Sequence, residues 1–291
     1  MTDLVRDAVS ALLSVLDVER ISDTSFVGRS ERKTGQRVFG GQVLAQSMLA
    51  AARTVEPDRL PHSVHGYFLR SGDVDKPITF QVENMRDGRS FSARRTHALQ
   101  DGAPILALTT SFQVAQEGLD HQRPGPHDVP GPDDVPDGIG ALAAQGHPVA
   151  KFWTRTSAFE IRHVDRNLYS GPDPEPSDRQ LVWMRARSPL PDDQLLHRAL
   201  LAYACDQVML EPILRRHGES WETPGLSIAS LDHAMWWHRP ARVDEWLLYV
   251  QDSPSATGGR GLGAARIYTR DGVHVATAAQ EGMVRVPSQE E

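Results

Sequence analysis

The sequence predicts an α+β fold of two tandem units, each one helix laid on an antiparallel sheet, with both units sharing one continuous sheet. Three observations predict it: a helix followed by strand-like runs occurs twice, a Pro/Gly-rich stretch separates the two occurrences, and short matches put them in register. A single unit of this kind leaves a sheet edge open to stray pairing, and joining the edges of two copies covers it.

The elements follow in chain order. The 291 residues open on an amphipathic helix with Leu4, Ala8, Leu12 and Leu16 on one stripe, and the acids scattered through it argue against a signal peptide. A helix-like run from Gln42 to Val55 precedes four strand-like runs, Val64 to Arg70, Ile78 to Arg86, Ser90 to Gln100 and Ile105 to Val114. The turn signals Arg86-Asp87-Gly88 and Gln100-Asp101-Gly102 between the later runs imply antiparallel hairpins. From Arg123 to Gly138 five prolines and three glycines fill half of sixteen positions, which excludes a helix or a central strand and predicts an exposed connector. The order then returns, with a helical run from Leu195 to Leu214 and strands near Ile228 to Trp237, Glu245 to Val250, Gly261 to Thr269 and Val273 to Arg285. A second interruption, Ser170 to Arg179, reads as a loop inside this half. The expected division is a first unit over residues 1–116, a connector over 117–150 and a second unit over 151–291.

Three matches occur in order. Gln42-Val43-Leu44 matches Gln207-Val208-Met209 at an offset of 165, His65-Gly66-Tyr67-Phe68 matches His233-Ala234-Met235-Trp236 at 168, and Asp101-Gly102 matches Asp271-Gly272 at 170. On that register Gly41 faces Asp206, His62 faces Ser230, and Thr110 faces Gln280. The second unit thus holds a carboxylate, a hydroxyl and an amide at points where the first cannot repeat the set, because Gly41 offers no side chain to stand for Asp206. Singly, each also reads as ordinary: a helix cap for Asp206, strand polars for Ser230 and Gln280. A carboxylate among small apolar residues, Ala202-Tyr203-Ala204-Cys205-Asp206, needs hydrogen-bond donors, and a nearby hydroxyl and amide would supply them. The pattern allows either one continuous helix there or a helix start or break near Cys205-Asp206.

Composition narrows the function. With 31 Lys/Arg against 38 Asp/Glu the chain carries a formal charge of −7, which disfavours a nucleic acid partner without a local basic stripe, and no such stripe stands out. One cysteine, Cys205, forbids an internal disulfide and fits a reducing, cytoplasmic setting; it reads as a buried small apolar residue. No apolar run reaches the roughly 20 residues of a membrane span, and the C-terminal VPSQEE is not a Ser-Lys-Leu type address. There is no G-x-S-x-G elbow, so water is favoured over serine as a hydrolytic nucleophile. The histidines His62, His65, His233 and His238 have no metal-ligand spacing, so neither metal nor cofactor is expected. The run from Gly258 to Gly263 imitates a phosphate loop but leads into a strand, so it reads as a strand-entry loop, with Arg260 as a candidate contact for a substrate phosphate. Trp236 is a candidate for lining an acyl site.

Longer segments carry a family resemblance: RVFGGQVLAQSMLAA, HSVHGYFLRSGD, NMRDGRSFSARRTHALQDGAPIL and TTSFQ in the first half, then LLAYACDQ, SIASLDHAMWWHRP, DEWLLY and DGVHVATAAQEGMVR in the second. Over nearly the whole chain the protein resembles the type II acyl-CoA thioesterases, which implies a double hotdog fold and hydrolysis of acyl-CoA to a fatty acid and coenzyme A. The resemblance implies a catalytic Asp, Thr and Gln that orient a water. They fall on Asp206, Ser230 and Gln280, with serine standing where the family usually has threonine. It further implies acyl-CoA as the partner, no cofactor, a place in lipid metabolism and a cytoplasmic homo-oligomer. Two other readings stay open: a non-catalytic acyl-CoA binding protein on the same fold, and a hotdog enoyl-CoA hydratase. For the latter, Asp165-Arg166-Asn167 is only a superficial match, without the expected proline and histidine.

Overall fold

The computed structural model describes residues 2–31 and 35–287, the side chains of residues 2–7, 149 and 155 excepted. The Leu4 side chain and the last four residues of the VPSQEE tail lie outside that description. The first half contains α1 (Thr2–Leu16), β1 (Glu19–Arg20), β2 (Ser25–Gly28), α2 (Gly40–Ala52), β3 (Arg59–Phe68), β4 (Ile78–Asp87), β5 (Phe91–Gln100) and β6 (Ala103–Val114). Next come α3 (Gly138–Ala144), α4 (Pro148–Thr156), β7 (Phe159–His163), a 3₁₀ turn (Leu168–Ser170), β8 (Arg179–Ala186), α5 (Gln194–Cys205) and α6 (Glu211–Arg216). Strands β9 (Ser227–Ser230), β10 (Asp232–Trp237), β11 (Leu247–Thr257), β12 (Arg260–Thr269) and β13 (His274–Arg285) complete the chain.

Twelve of these strands form one antiparallel path, β1-β2-β4-β5-β6-β3-β10-β13-β12-β11-β8-β7, and β9 joins it beside β13. The order is a palindrome about the β3·β10 junction. Each unit presents the strand after its helix, and the two edges close on each other with pairs such as His65↔Ala234 and Val64↔Met235. Helix α2 buries Val43, Leu44 and Met48 completely or nearly so, against Phe80, Ala98 and Leu108 of its own sheet. Ala8, Leu12 and Leu16 of α1 are buried as the stripe requires.

Several expectations are refined. Of the two readings open for Leu195 to Leu214, the structure takes the break near Cys205-Asp206: two helices, α5 and α6, with a turn beginning at Asp206. Strands β1, β2, β7 and β8, beyond those expected from the sequence, precede the helices in both units. The connector is exposed along most of its length, but it is docked and not free. It lies on the second unit, where Val135 packs with Trp183, Trp246, Leu248 and Tyr268, and Trp183 Nε1–H donates to the Pro130 carbonyl at 2.9 Å.

The repeat register needs a one-residue correction. Thr110 and Gln280 remain counterparts, both fully buried on the helix-facing side of the sheet. From there the pairs Pro61↔Phe112 and Ser230↔Gly282 make Pro61, not His62, the counterpart of Ser230. Likewise His65↔Thr109 and Ala234↔Ala279 make His65 the counterpart of Ala234. A one-residue slip in a strand exchanges its faces, and His65 is indeed exposed while His233 is buried. The match of His65 with His233 is therefore coincidental; the two strands keep one constant register, because each unit carries an equivalent β-bulge, at His62 in the first and at Leu231 between β9 and β10 in the second.

Candidate active site

Asp206 sits where α5 ends, and its carboxylate reaches the start of α2 in the other unit. Its Oδ2 accepts the Gly41 backbone N–H at 2.7 Å. The first N–H groups of a helix have no intrahelical acceptor and carry the positive end of its dipole, so a carboxylate is the natural occupant. The approach demands glycine. A Cβ on Gly41 would lie 2.5 Å from the Tyr203 carbonyl oxygen, and one on Gly40 would lie 2.8 Å from Asp206 Oδ2. The first unit therefore contributes its main chain to the site.

Two side chains of the sheet meet the other oxygen. Asp206 Oδ1 accepts the Gln280 amide N–H at 2.8 Å and the Ser230 hydroxyl at 3.2 Å, while the same Gln280 nitrogen donates to Ser230 Oγ at 2.7 Å. Gln280 is fully buried; Asp206 and Ser230 are partly exposed. The bulge at Leu231 is what turns Ser230 inward. Between Ser230 and Ala234 the chain takes one step more than β13 takes between Gly282 and Ala279, which brings Ser230 onto the face occupied by His233 and Gln280. Leu231 is fixed by its own N–H to the Glu281 carbonyl at 2.8 Å, and its carbonyl accepts the Phe68 N–H at 2.9 Å.

An ionised carboxylate has about four lone-pair directions. Three are taken here, which leaves one on Oδ2. Asp206, Ser230 and Gly40 all line a cavity of about 490 Å³ whose wall includes Phe39, Phe152, Trp153, Tyr169, Leu210 and Trp221. Tyr169 stacks on Trp221 with centroids 6.0 Å apart and tilts on Trp153 at 5.2 Å. Trp221 is held by its Nε1–H to the buried Glu211 carboxylate at 3.0 Å. Burial opposes charge on Glu211, but the charge and hydrogen bond of His163 and the bonds from Trp221 and Gln180 outweigh it, so its pKa lies below the ordinary glutamate range.

Sequence reasoning missed His233 and Gly41 as members of the site. His233 is buried and its Nδ1 lies 2.6 Å from Gln280 Oε1. Burial lowers its basicity, against the Gln280 bond and the charges of Asp206 and Asp232. Neither Trp236 nor Arg260 lines the cavity. Trp236 shares the outer face with His65, centroids 5.0 Å apart, and Arg260 is paired with Glu281 at 3.0 Å. Gly258 and Gly259, both at positive φ, make the tight turn from β11 to β12, so the glycine run is a hairpin. Asp165 accepts the Leu181 N–H at 2.9 Å, a loop contact. Burial pushes the Cys205 thiol well above the usual range.

Comparison with known proteins points one way. A family model described as acyl-CoA thioesterase matches residues 156–283, and one described as acyl-CoA thioesterase N-terminal domain matches residues 29–113. The chain is 35% identical to acyl-CoA thioesterase 2 of Haemophilus influenzae over 96% of this chain and 98% of that one. It is 36% identical to human acyl-coenzyme A thioesterase 8 over 95% of this chain and 89% of that one. A crystal structure of an acyl-CoA thioesterase II from Mycobacterium marinum superposes with a TM-score of 0.79 at 42% identity, covering 96% of this chain and all of the other. A hot dog fold protein from Alicyclobacillus acidocaldarius, at 20% identity and a TM-score of 0.77 over 95% of this chain and 98% of that one, shares the fold.

Proposed function

The chain belongs to the acyl-CoA thioesterase family and is a thioester hydrolase, and from that premise we propose that a water on the free lone pair of Asp206 attacks the acyl-CoA carbonyl. Asp206 accepts the proton of that water as the oxygen bonds to the carbonyl carbon, a general-base role that typically contributes about 10² to 10⁴ in rate. The charge that gathers on the former carbonyl oxygen is stabilised by the Gly40 N–H at the start of α2, where Gly40 lines the cavity and the next three N–H groups are already bonded. Collapse breaks the carbon–sulfur bond, and the proton held on Asp206 passes to the departing coenzyme A thiolate. The products are a carboxylic acid and coenzyme A.

Ser230 and Gln280 act by fixing the carboxylate. Both amide hydrogens of Gln280 are spent, one on Asp206 and one on Ser230. Ser230 keeps one acceptor direction, which can help hold the water. The aromatic wall of the cavity receives the acyl chain. The same proposal sets the enzyme in the cytoplasm, in fatty acid metabolism; among the described residues no helix is long and apolar enough to cross a membrane.

The observation that carries this reading is a carboxylate held by donors from both units with one lone pair left beside an apolar cavity. Steady-state thiol release across a panel of acyl-CoA chain lengths tests it. Turnover is expected, whereas saturable acyl-CoA binding without release would favour a binding protein on the same fold.

A further inference from the structure

We propose that His233 is a positioning residue for the reaction, fixing the direction of the Gln280 amide and, through it, both hydrogen bonds that Gln280 gives to Asp206 and Ser230. The inference rests on the reading of Asp206 as the base. An amide oxygen only accepts, so the 2.6 Å contact between Gln280 Oε1 and His233 Nδ1 requires the proton on Nδ1. The other ring nitrogen, Nε2, is buried with no hydrogen-bond partner among the described residues. The ring is 1% exposed, and it reaches the site only through Gln280.

The amide has two orientations of the same shape. In the observed one its NH₂ faces Asp206 Oδ1 and Ser230 Oγ at 2.8 and 2.7 Å. Turned over, it would set its oxygen against the carboxylate and its NH₂ against the His233 N–H, two repulsive contacts in place of three attractive ones. Burial keeps the imidazole neutral, so the single proton on Nδ1 decides the matter. A neutral ring with its proton on Nε2 would accept from the amide and select the wrong orientation. The counterpart of His233 in the first unit, on the corrected register, is the fully buried Val64, as expected where there is no amide to orient.

The test compares His233→Leu with His233→Asn, whose side-chain nitrogen falls near the place of Nδ1, in the wild-type and Gln280→Ala backgrounds. The expected result for His233→Leu is a kcat lower by about tenfold or more with KM within about twofold, and His233→Asn should recover most of that loss. In the Gln280→Ala background His233→Leu should cost nothing further. A kcat within about twofold of wild type for His233→Leu, or an equal loss in both backgrounds, overturns the proposal. Should His233→Leu not fold, long-range ¹H–¹⁵N spectra of the wild-type enzyme decide: a proton on Nδ1 supports it and a proton on Nε2 overturns it. Asp206→Asn measured alongside separates the two levels. If that variant keeps its activity, the reading of the site fails, and if it is inactive while the His233 and Gln280 effects multiply, only the positioning role fails.

Discussion

Asp206 commits three of its lone pairs to Gly41, Ser230 and Gln280, which is what the proposed role of a base holding one water requires. Ser230 is the weakest of these contacts at 3.2 Å, and it lacks the methyl that would restrict its rotamer. Ser230→Ala should therefore lower kcat by about tenfold while leaving KM nearly unchanged, since one hydrogen bond near the reacting water is lost. Ser230→Thr should be neutral or mildly activating; kcat and KM for the two variants check both. Asp206 and Gln280 were legible in the sequence because the repeat differs chemically at those points. Ser230 was found through the resemblance and a misaligned repeat, since strict alternation places it on the wrong face. Gly41 was noticed only for lacking a side chain, and nothing in a one-dimensional pattern reveals that its N–H is used.

At the scale of elements, the break between α5 and α6 and the bulge at Leu231 make the site. The run from Leu195 to Leu214 carries its own interruption signal in Pro212, which a helix interior disfavours and which the structure places in the first turn of α6, while Asp206 at the break docks on α2. That docking tolerates little. Gly41→Ala places a methyl 2.5 Å from the Tyr203 carbonyl, and the rigid backbone on both sides must move apart. Such overpacking costs about 1–3 kcal/mol. It also withdraws the N–H from Asp206, so both melting temperature and kcat should fall. The cavity wall yields a second expectation. Trp153, with His147 and Tyr169, lines both the cavity and a smaller void of about 10 Å³ that Ile139 and Ala150 also line. Trp153→Ala should join the two and shift the ratio of kcat/KM values toward longer or bulkier acyl chains, measured across an acyl-CoA series; an unchanged ratio would remove Trp153 from the acyl-binding wall.

Across the whole molecule, the paired units were the most readable feature because helix and hairpins recur in order on either side of one connector. The connector's docking was not readable, since a Pro/Gly-rich composition forbids regular structure without forbidding burial, and Val135 is 4% exposed. The outer strand β7 adds an acid-sensitive element to stability. Glu160 accepts from Arg162 at 2.6 Å and from Arg185 at 3.0 Å, with both guanidiniums over the Trp246 ring. Burial alone would raise its pKa, but the two arginines outweigh burial and lower it. A carboxylate whose folded pKa is depressed stabilises the fold above its unfolded value of about 4.3 and loses that contribution as the pH falls through the folded value. Glu160→Gln should flatten the decline of the urea midpoint between about pH 5 and 3, with a smaller midpoint at neutral pH.

On the proposed reading, the Asp206 carboxylate, assembled across the seam between the two units, activates the hydrolytic water. That role is tested most directly by kcat and KM of wild type and Asp206→Asn on the same acyl-CoA, with the fold of the variant checked by its melting temperature. Asp206→Asn should show a kcat lower by about 10² or more with KM little changed, because the substitution keeps the shape of the side chain and removes the base. A folded Asp206→Asn enzyme with most of the wild-type kcat would contradict it.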